Sequence, residues 1–256
     1  MMSYQHIRSE LADGVGRIVL NRPPVNILNI EMMGEINRAL RDFKEEKGLK
    51  VLVFRAEGKA FSVGVDVGEH MGDMVARMIE TFHEMFRLLD TIQVPSIAVV
   101  NGAALGGGCE LALYCDMVLA TEKSTFGQPE IMVGVFPPIA ALILPRIIGR
   151  KRAMELILSG KTIGAREALE MGLINRIIAE DSLEEDVRGF VDEFTRNSAV
   201  VLKLTKKAAM EGLYDDVGGS LRRIESIYLE ELMKTEDATE GLKAFLEKRK
   251  PVWKDR

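Results

Sequence analysis

Glu110 and Glu130 are the residues of this sequence best suited to proton chemistry, because each stands alone in apolar surroundings. Glu110 is the only charged residue from Gly102 to Cys115, and Glu130 the only one from Phe126 to Pro145. A glutamate is rarely buried without a partner, since ionising it in a low-dielectric site is costly. Burial raises its pKa instead, by up to ~3–5 units when complete. A carboxyl group brought towards neutrality in this way can act as a general acid or base. The competing explanation for either residue alone is a salt bridge to an arginine elsewhere, or a helix N-terminus that favours negative charge. Two such residues, each beside a glycine or proline turn, point to a shared function.

The run Asn101-Gly102-Ala103-Ala104-Leu105-Gly106-Gly107-Gly108 follows a strand-like segment and precedes an apolar helix expected from Cys109 to Tyr114. Glycines there let the backbone approach a ligand, and the free amides of the helix start favour a developing negative charge. Glu110 lies three residues after Gly107, so that amide and the carboxyl share one helix face. Tight packing is the other use such glycines have. The run lacks both the Gly-Lys-Ser/Thr of a phosphate loop and the Gly-x-Gly-x-x-Gly spacing, which argues against a nucleotide cradle. A second loop, Phe61-Ser62-Val63-Gly64-Val65-Asp66-Val67, follows a buried strand and offers another backbone amide.

The elements that must position these groups read as an α/β chain. Gly14 to Leu20 is a turn leading into a strand closed by Asn21-Arg22-Pro23-Pro24. Residues 30 to 46 predict an amphipathic helix with Met33, Ile36, Leu40 and Phe43 on one face. Val51 to Phe54, Ile97 to Val100 and Asp116 to Ala120 are short apolar runs of the kind buried on both faces of a sheet. Between the first two, a loop is expected from Glu57 to Gly68. A helix follows at roughly 71 to 90, with Met71, Met74, Met78, Phe82, Met85, Phe86 and Leu89 as a core-facing stripe. Alternation of strand and helix continues to about residue 195. Residues 182 to 248 then read as successive amphipathic helices, so the expected division is 1–195 for the core and site and 196–256 for a helical appendage.

Composition narrows the partners. Over 256 residues the net charge is −5, with 47% hydrophobic and 29% charged residues, so no basic field attracts nucleic acid or an anionic membrane. The longest low-charge stretch, Ile131 to Pro145, holds three prolines and is short of the ~20 residues a membrane span needs. The N-terminus has no signal-peptide pattern, and two cysteines in apolar sequence with three dispersed histidines suggest neither disulfides nor a metal site. A cytoplasmic protein without metal or nucleic-acid partner is the expectation.

Taken together, Asn21-Arg22-Pro23, Ala60 to Asp66, Asn101 to Leu111, Phe126-Gly127-Gln128-Pro129-Glu130 and the ending Glu247-Lys248-Arg249-Lys250-Pro251 closely resemble the enoyl-CoA hydratase/isomerase family, the crotonases. The resemblance covers essentially the whole chain. It implies a crotonase-type spiral of ββα repeats with a C-terminal helical trimerisation region, and a homotrimer or a hexamer built as a dimer of trimers. It implies an acyl-CoA substrate and no separate cofactor, coenzyme A being part of the substrate. By position, the backbone amides of Val65 and Gly107 would form the oxyanion hole. Glu110 and Glu130 match the family's two catalytic glutamates, with acid and base roles not divided between them. Coenzyme A would run past Arg22, Val25, Ala60, Ser62, Asp66, Gly106 and Pro129. Retention of both glutamates favours hydration over isomerisation or thioester hydrolysis.

One segment departs from the family pattern. Where straight-chain hydratases have Pro-Gly-Ala-Gly-Gly, this sequence has Phe136-Pro137-Pro138-Ile139-Ala140-Ala141. With Val25-Asn26-Ile27-Leu28, Gly64-Val65-Asp66-Val67 and Thr81 to Phe86, it is more similar to the cyclohexa-1,5-diene-1-carbonyl-CoA hydratases of anaerobic benzoyl-CoA degradation. The alternatives are a short-chain 2-enoyl-CoA hydratase of fatty-acid β-oxidation and, from another class, a non-catalytic RNA-binding or scaffolding crotonase-like protein. His70 and His83 read as structural or surface residues. Lys203, Lys206 and Lys207 read as a solvated helix face.

Overall fold

The apolar runs become neighbouring parallel strands, and the chain winds between two sheets. In the computed structural model the described residues are 4–70, 72–211, 231 and 234–256. β1 (Ile7–Ala12) and β2 (Val15–Leu20) form an antiparallel hairpin, followed by α1 (Ile30–Glu45). Three repeats come next. The first is β3 (Val51–Ala56), β4 (Ala60–Ser62) and α2 (Met74–Thr91), and the second β5 (Ser96–Val100), β6 (Ala103–Leu105) and α3 (Gly107–Tyr114). The third is β7 (Met117–Thr121), β8 (Thr125–Gly127), a 3-10 turn at Pro129–Val133 and α4 (Pro138–Ile147). α5 (Arg150–Ser159), β9 (Thr162–Gly164), α6 (Ala165–Met171), β10 (Arg176–Ile178), α7 (Leu183–Thr195) and α8 (Ala199–Glu211) follow, with a last described helix at Glu236–Leu246.

The first strand of each repeat joins a six-stranded sheet of order β1-β2-β3-β5-β7-β10, and the second joins a four-stranded sheet of order β4-β6-β8-β9. This alternation is the expected spiral of ββα turns. It also corrects the loop expected from Glu57 to Gly68, which contains β4. Strands of three residues carry too few side chains to show a period.

Both faces of the larger sheet are covered, which is why its strands read as unbroken apolar runs. Leu52, Phe54, Ala98 and Val100 face the main core with α1, α2 and α3, while Val51, Val53, Ile97 and Val99 meet Val187, Phe190 and Val191 of α7. In α2 the stripe Met78, Phe82, Met85, Phe86 and Leu89 is buried as expected. Met74 is an exception, exposed at the first turn, and Met71 lies outside the described residues.

Of the helices expected over 182 to 248, α7, α8 and Glu236–Leu246 are described, and the rest falls outside the described residues. The lysines of α8 are not a solvated face. Lys206 Nζ donates to Ile92 O, Val94 O and Asp116 Oδ2 at 3.3, 3.0 and 2.6 Å, and Lys203 Nζ reaches Lys47 O at 3.4 Å. Lys207 pairs with Glu231. Lys203 and Lys206 thereby tie α8 to the ends of core elements, a use of lysine that helical charge spacing alone does not reveal.

Candidate active site

β4, β6 and β8 run parallel, so their C-terminal ends open on one edge of the small sheet. In α/β folds that edge is where ligands are held. Each end delivers one part of the site. β4 leads to Val65, β6 to Gly107 and Glu110, and β8 to Glu130.

Val65 is set by a single parallel bridge to Leu28. Leu28 N–H donates to Gly64 O at 2.9 Å, and Asp66 N–H donates to Leu28 O at 3.0 Å. A parallel ladder uses the amides on either side of the bridged residue, so the amide of Val65 itself points away from Leu28. Gly107 opens α3, where first-turn amides have no intrahelical acceptor. Among the described residues, neither amide donates a hydrogen bond. The two loops are pressed together: a Cβ on Gly107 would lie 2.6 Å from Val65 Cγ2 and 3.1 Å from the ring of Phe82. One on Gly64 would lie 3.8 Å from Gly107 N. Two unclaimed amides on adjoining loops are donors of the kind that can meet a developing negative charge.

Glu110 stands in the first turn of α3 and is 2% exposed. Its Oε1 accepts from Ile139 N–H at 2.7 Å and Ala140 N–H at 2.8 Å. No arginine pairs with it among the described residues. Burial raises its pKa to about 8; the amide of Ala140 opposes that, and the nearby charge of Glu130 adds to it. Glu130 belongs to the 3-10 turn after β8, and burial raises its pKa to about 7. Its Oε2 is buried without a hydrogen-bond partner. Two carboxyls that hold their protons near neutrality can exchange protons with water and with a carbon centre.

A family model described as enoyl-CoA hydratase/isomerase matches residues 10–256. The chain belongs to the enoyl-CoA hydratase/isomerase family. It is 38% identical over 240 residues to a cyclohexa-1,5-dienecarbonyl-CoA hydratase of Thauera aromatica, covering 94% of this chain and 93% of that one. It is also 38% identical over 258 residues to a probable enoyl-CoA hydratase of Rhizobium meliloti, covering 100% of both. Among solved structures, an enoyl-CoA hydratase from Bacillus anthracis superposes with a TM-score of 0.93 at 33% identity, covering 98% of this chain and 100% of that one.

The residues expected along coenzyme A are distributed unevenly in this member of the hydratase/isomerase family. Arg22 and Val25 flank a turn held by Asn26, and Arg22 Nη1 donates to Ile27 O at 3.0 Å. Asp66 caps its own turn, accepting from Gly68 N–H at 2.9 Å. Gly106 lies directly against the Glu130 carboxylate, and Pro129 precedes that residue in the same turn. Ala60 and Ser62 are buried, with Ser62 packed where a Cβ on Gly108 would come within 2.5 Å. The Ser62 side chain is therefore packing, and its hydroxyl accepts from Gly64 N–H at 3.3 Å.

Several site residues escaped sequence reasoning. Asn26, fully buried with φ +53°, accepts from Arg22 N–H and donates to Glu57 O and Ala60 O, joining the Arg22 turn to β4. Its signal was its place between Pro23-Pro24 and α1, in the segment Val25-Asn26-Ile27-Leu28 that carried part of the resemblance. Gln128 is buried beside Glu130 with neither amide atom hydrogen-bonded. Of the histidines, His70 Nδ1 meets Asp66 O at 2.9 Å. His83 has a buried, unpartnered Nε2, and burial lowers its pKa.

Proposed function

We propose that this chain hydrates a conjugated acyl-CoA thioester, with cyclohexa-1,5-diene-1-carbonyl-CoA as the preferred substrate. The observation that carries hydration is the pair Glu110 and Glu130, both titrating near neutrality, set beside the unclaimed amides of Val65 and Gly107. The thioester oxygen sits between the two amides and takes up enolate charge as the hydroxyl oxygen of water bonds to the β-carbon. One carboxylate accepts the proton of that water, and the other carboxyl gives its proton to carbon. In a simple enoyl ester that carbon is the α-carbon, and in the diene it is the far end of the conjugated system. Each oxyanion donor contributes ~2.7–4 kcal/mol of transition-state stabilisation.

The cyclic substrate is supported by the Phe136-Pro137-Pro138 turn, which is stiffer and bulkier than a glycine-rich one, and by the Thauera aromatica relative. A short-chain 2-enoyl-CoA is the second reading, supported by the equal identity to the Rhizobium meliloti protein. Hydration of crotonyl-CoA and of cyclohexa-1,5-diene-1-carbonyl-CoA, followed chromatographically side by side, tests the choice. Preference for the diene places the chain in anaerobic benzoyl-CoA breakdown. Preference for crotonyl-CoA overturns that assignment and favours β-oxidation.

The same reading includes a homotrimer or hexamer in a reducing cytoplasm. Its supports are the exposed apolar side chains Met132, Val133, Phe136, Leu142 and Leu158, and two buried free cysteines. No helix among the described residues is long and apolar enough to cross a membrane. Light scattering on the purified chain tests the assembly, and a monomer at micromolar concentration would refute it.

A further inference from the structure

α4 begins without a cap of its own. Its N-cap is Pro137 and its first residue Pro138, and neither has an amide hydrogen or a side-chain acceptor. In most helices the N-cap side chain accepts from the second or third helical amide. Here those amides belong to Ile139 and Ala140, and both turn instead to one oxygen of Glu110, which comes from α3. The first intrahelical bond, Ala141 N–H to Pro137 O at 2.9 Å, starts one residue later. Glu110 is thus the N-terminal cap of the next α-helix, beyond β7, β8 and the 3-10 turn.

The prolines act by subtraction. A helix start built from ordinary residues presents four free amides. Two of the positions nearest the carboxylate cannot donate, so the geometry leaves one pair, and that pair converges on Oε1. No hydrogen bond engages Oε2 among the described residues. The other ionisable group acting on this carboxylate is Glu130, from the 3-10 turn, and both glutamates raise the pKa of the neighbouring Cys109 thiol.

Resting on the hydratase reading, we propose that Pro137-Pro138-Ile139-Ala140 is a positioning element for Glu110: the prolines withhold donors, and the next two amides fasten one carboxylate oxygen so that the other is left for water. The arrangement fixes the rotamer of Glu110 and, through the amide hydrogens, favours its ionised form. It also links the charge of Glu110 to the order of the first turn of α4.

Hydrogen exchange of the peptide spanning residues 138–145 tests the cap in wild type, Glu110→Gln and Glu110→Ala. The glutamine carbonyl accepts the same two amides, so protection in Glu110→Gln stays near wild type. In Glu110→Ala the amides of Ile139 and Ala140 exchange about tenfold faster or more, the loss expected of a removed cap. Protection of β3 serves as the control for global unfolding. Unchanged protection in Glu110→Ala would overturn the proposal. A second variant, Ile139→Pro, removes one donor at a helical position that tolerates proline and leaves Glu110 in place. With crotonyl-CoA its kcat falls about tenfold while KM stays within about twofold, and the alkaline limb of its kcat–pH profile, set by Glu110, moves to higher pH. A profile superimposable on wild type would equally refute the idea. If the exchange result holds but wild type hydrates neither ester, the hydratase reading fails and the cap stands.

Discussion

The Glu130 carboxylate lies against the backbone of Gly106: a Cβ added there would come within 2.7 Å of Glu130 Oε1. Gly106 also has φ +49°, outside the range a side chain favours. Gly106→Ala must therefore displace the carboxylate, strain the backbone, or both. Turnover of crotonyl-CoA is expected to fall by about 100-fold, the scale of a misplaced acid–base group. A variant with wild-type kcat would show that Glu130 works from elsewhere.

Exchange of either carboxyl for an amide separates activity from stability. Glu110→Gln and Glu130→Gln each lower kcat by about 100-fold or more, with binding of a CoA ester largely kept. Both carboxyls have folded pKa values raised from 4.5, to about 8 and about 7. For a raised carboxyl, the stability gained by keeping it neutral is complete below pH 4.5 and is lost as pH climbs through the folded pKa. The amide variants cannot ionise and escape that loss. Their Tm should exceed wild type by at least about 2 °C at alkaline pH, with the gap shrinking towards acidic pH. A Tm difference independent of pH would contradict the burial of these groups.

The rate itself should follow the proton inventory of the pair. Below about 7 both carboxyls are protonated and no base remains, while above about 8 both are ionised and no acid remains. The form with one shared proton dominates between, so kcat/KM for a CoA ester is bell-shaped with its maximum in that interval. A rate that keeps rising well above the upper limb would rule out a protonated glutamate as the acid.

Asn26 makes a different prediction, since it touches no reacting atom. It is fully buried and makes three side-chain hydrogen bonds between the Arg22 turn and β4. Asn26→Ala leaves those backbone groups unpaired and costs about 1–3 kcal/mol of stability for each one that water cannot reach. Because the expected coenzyme A channel runs over this turn, KM should rise more than kcat falls. Denaturant titration and steady-state kinetics on the same preparation check both halves, and an unaltered midpoint would refute the structural half.

Much of this was legible in the residues. The lone charges at Glu110 and Glu130 stood out because apolar sequence gives a carboxylate nowhere to hide; Glu110 is buried and Glu130 partly so, with its Oε2 enclosed. The strands β3, β5 and β7 were visible as continuous apolar runs because both faces of their sheet are covered. What escaped has a common cause. β4, β6 and β8 have three residues each, too few for a pattern, although they aim every part of the site. The grip of Ile139 and Ala140 on Glu110 uses backbone amides, which carry no side-chain signature. The lysines of α8 looked like a wet face because their charge was visible and the carbonyls that receive it were not.

The three short parallel strands have a consequence for how this chemistry can change. Each hands over its own share at its own end: an amide after β4, an amide and a carboxyl after β6, the second carboxyl after β8. The spiral thereby works as a row of sockets in which the segment beyond β8 serves two, since it carries Glu130 and its Ile139 and Ala140 amides hold the Glu110 carboxyl. A change in the β8–α4 connection therefore reaches both carboxyls, while the amides of Val65 and Gly107 stand on other loops and keep their places.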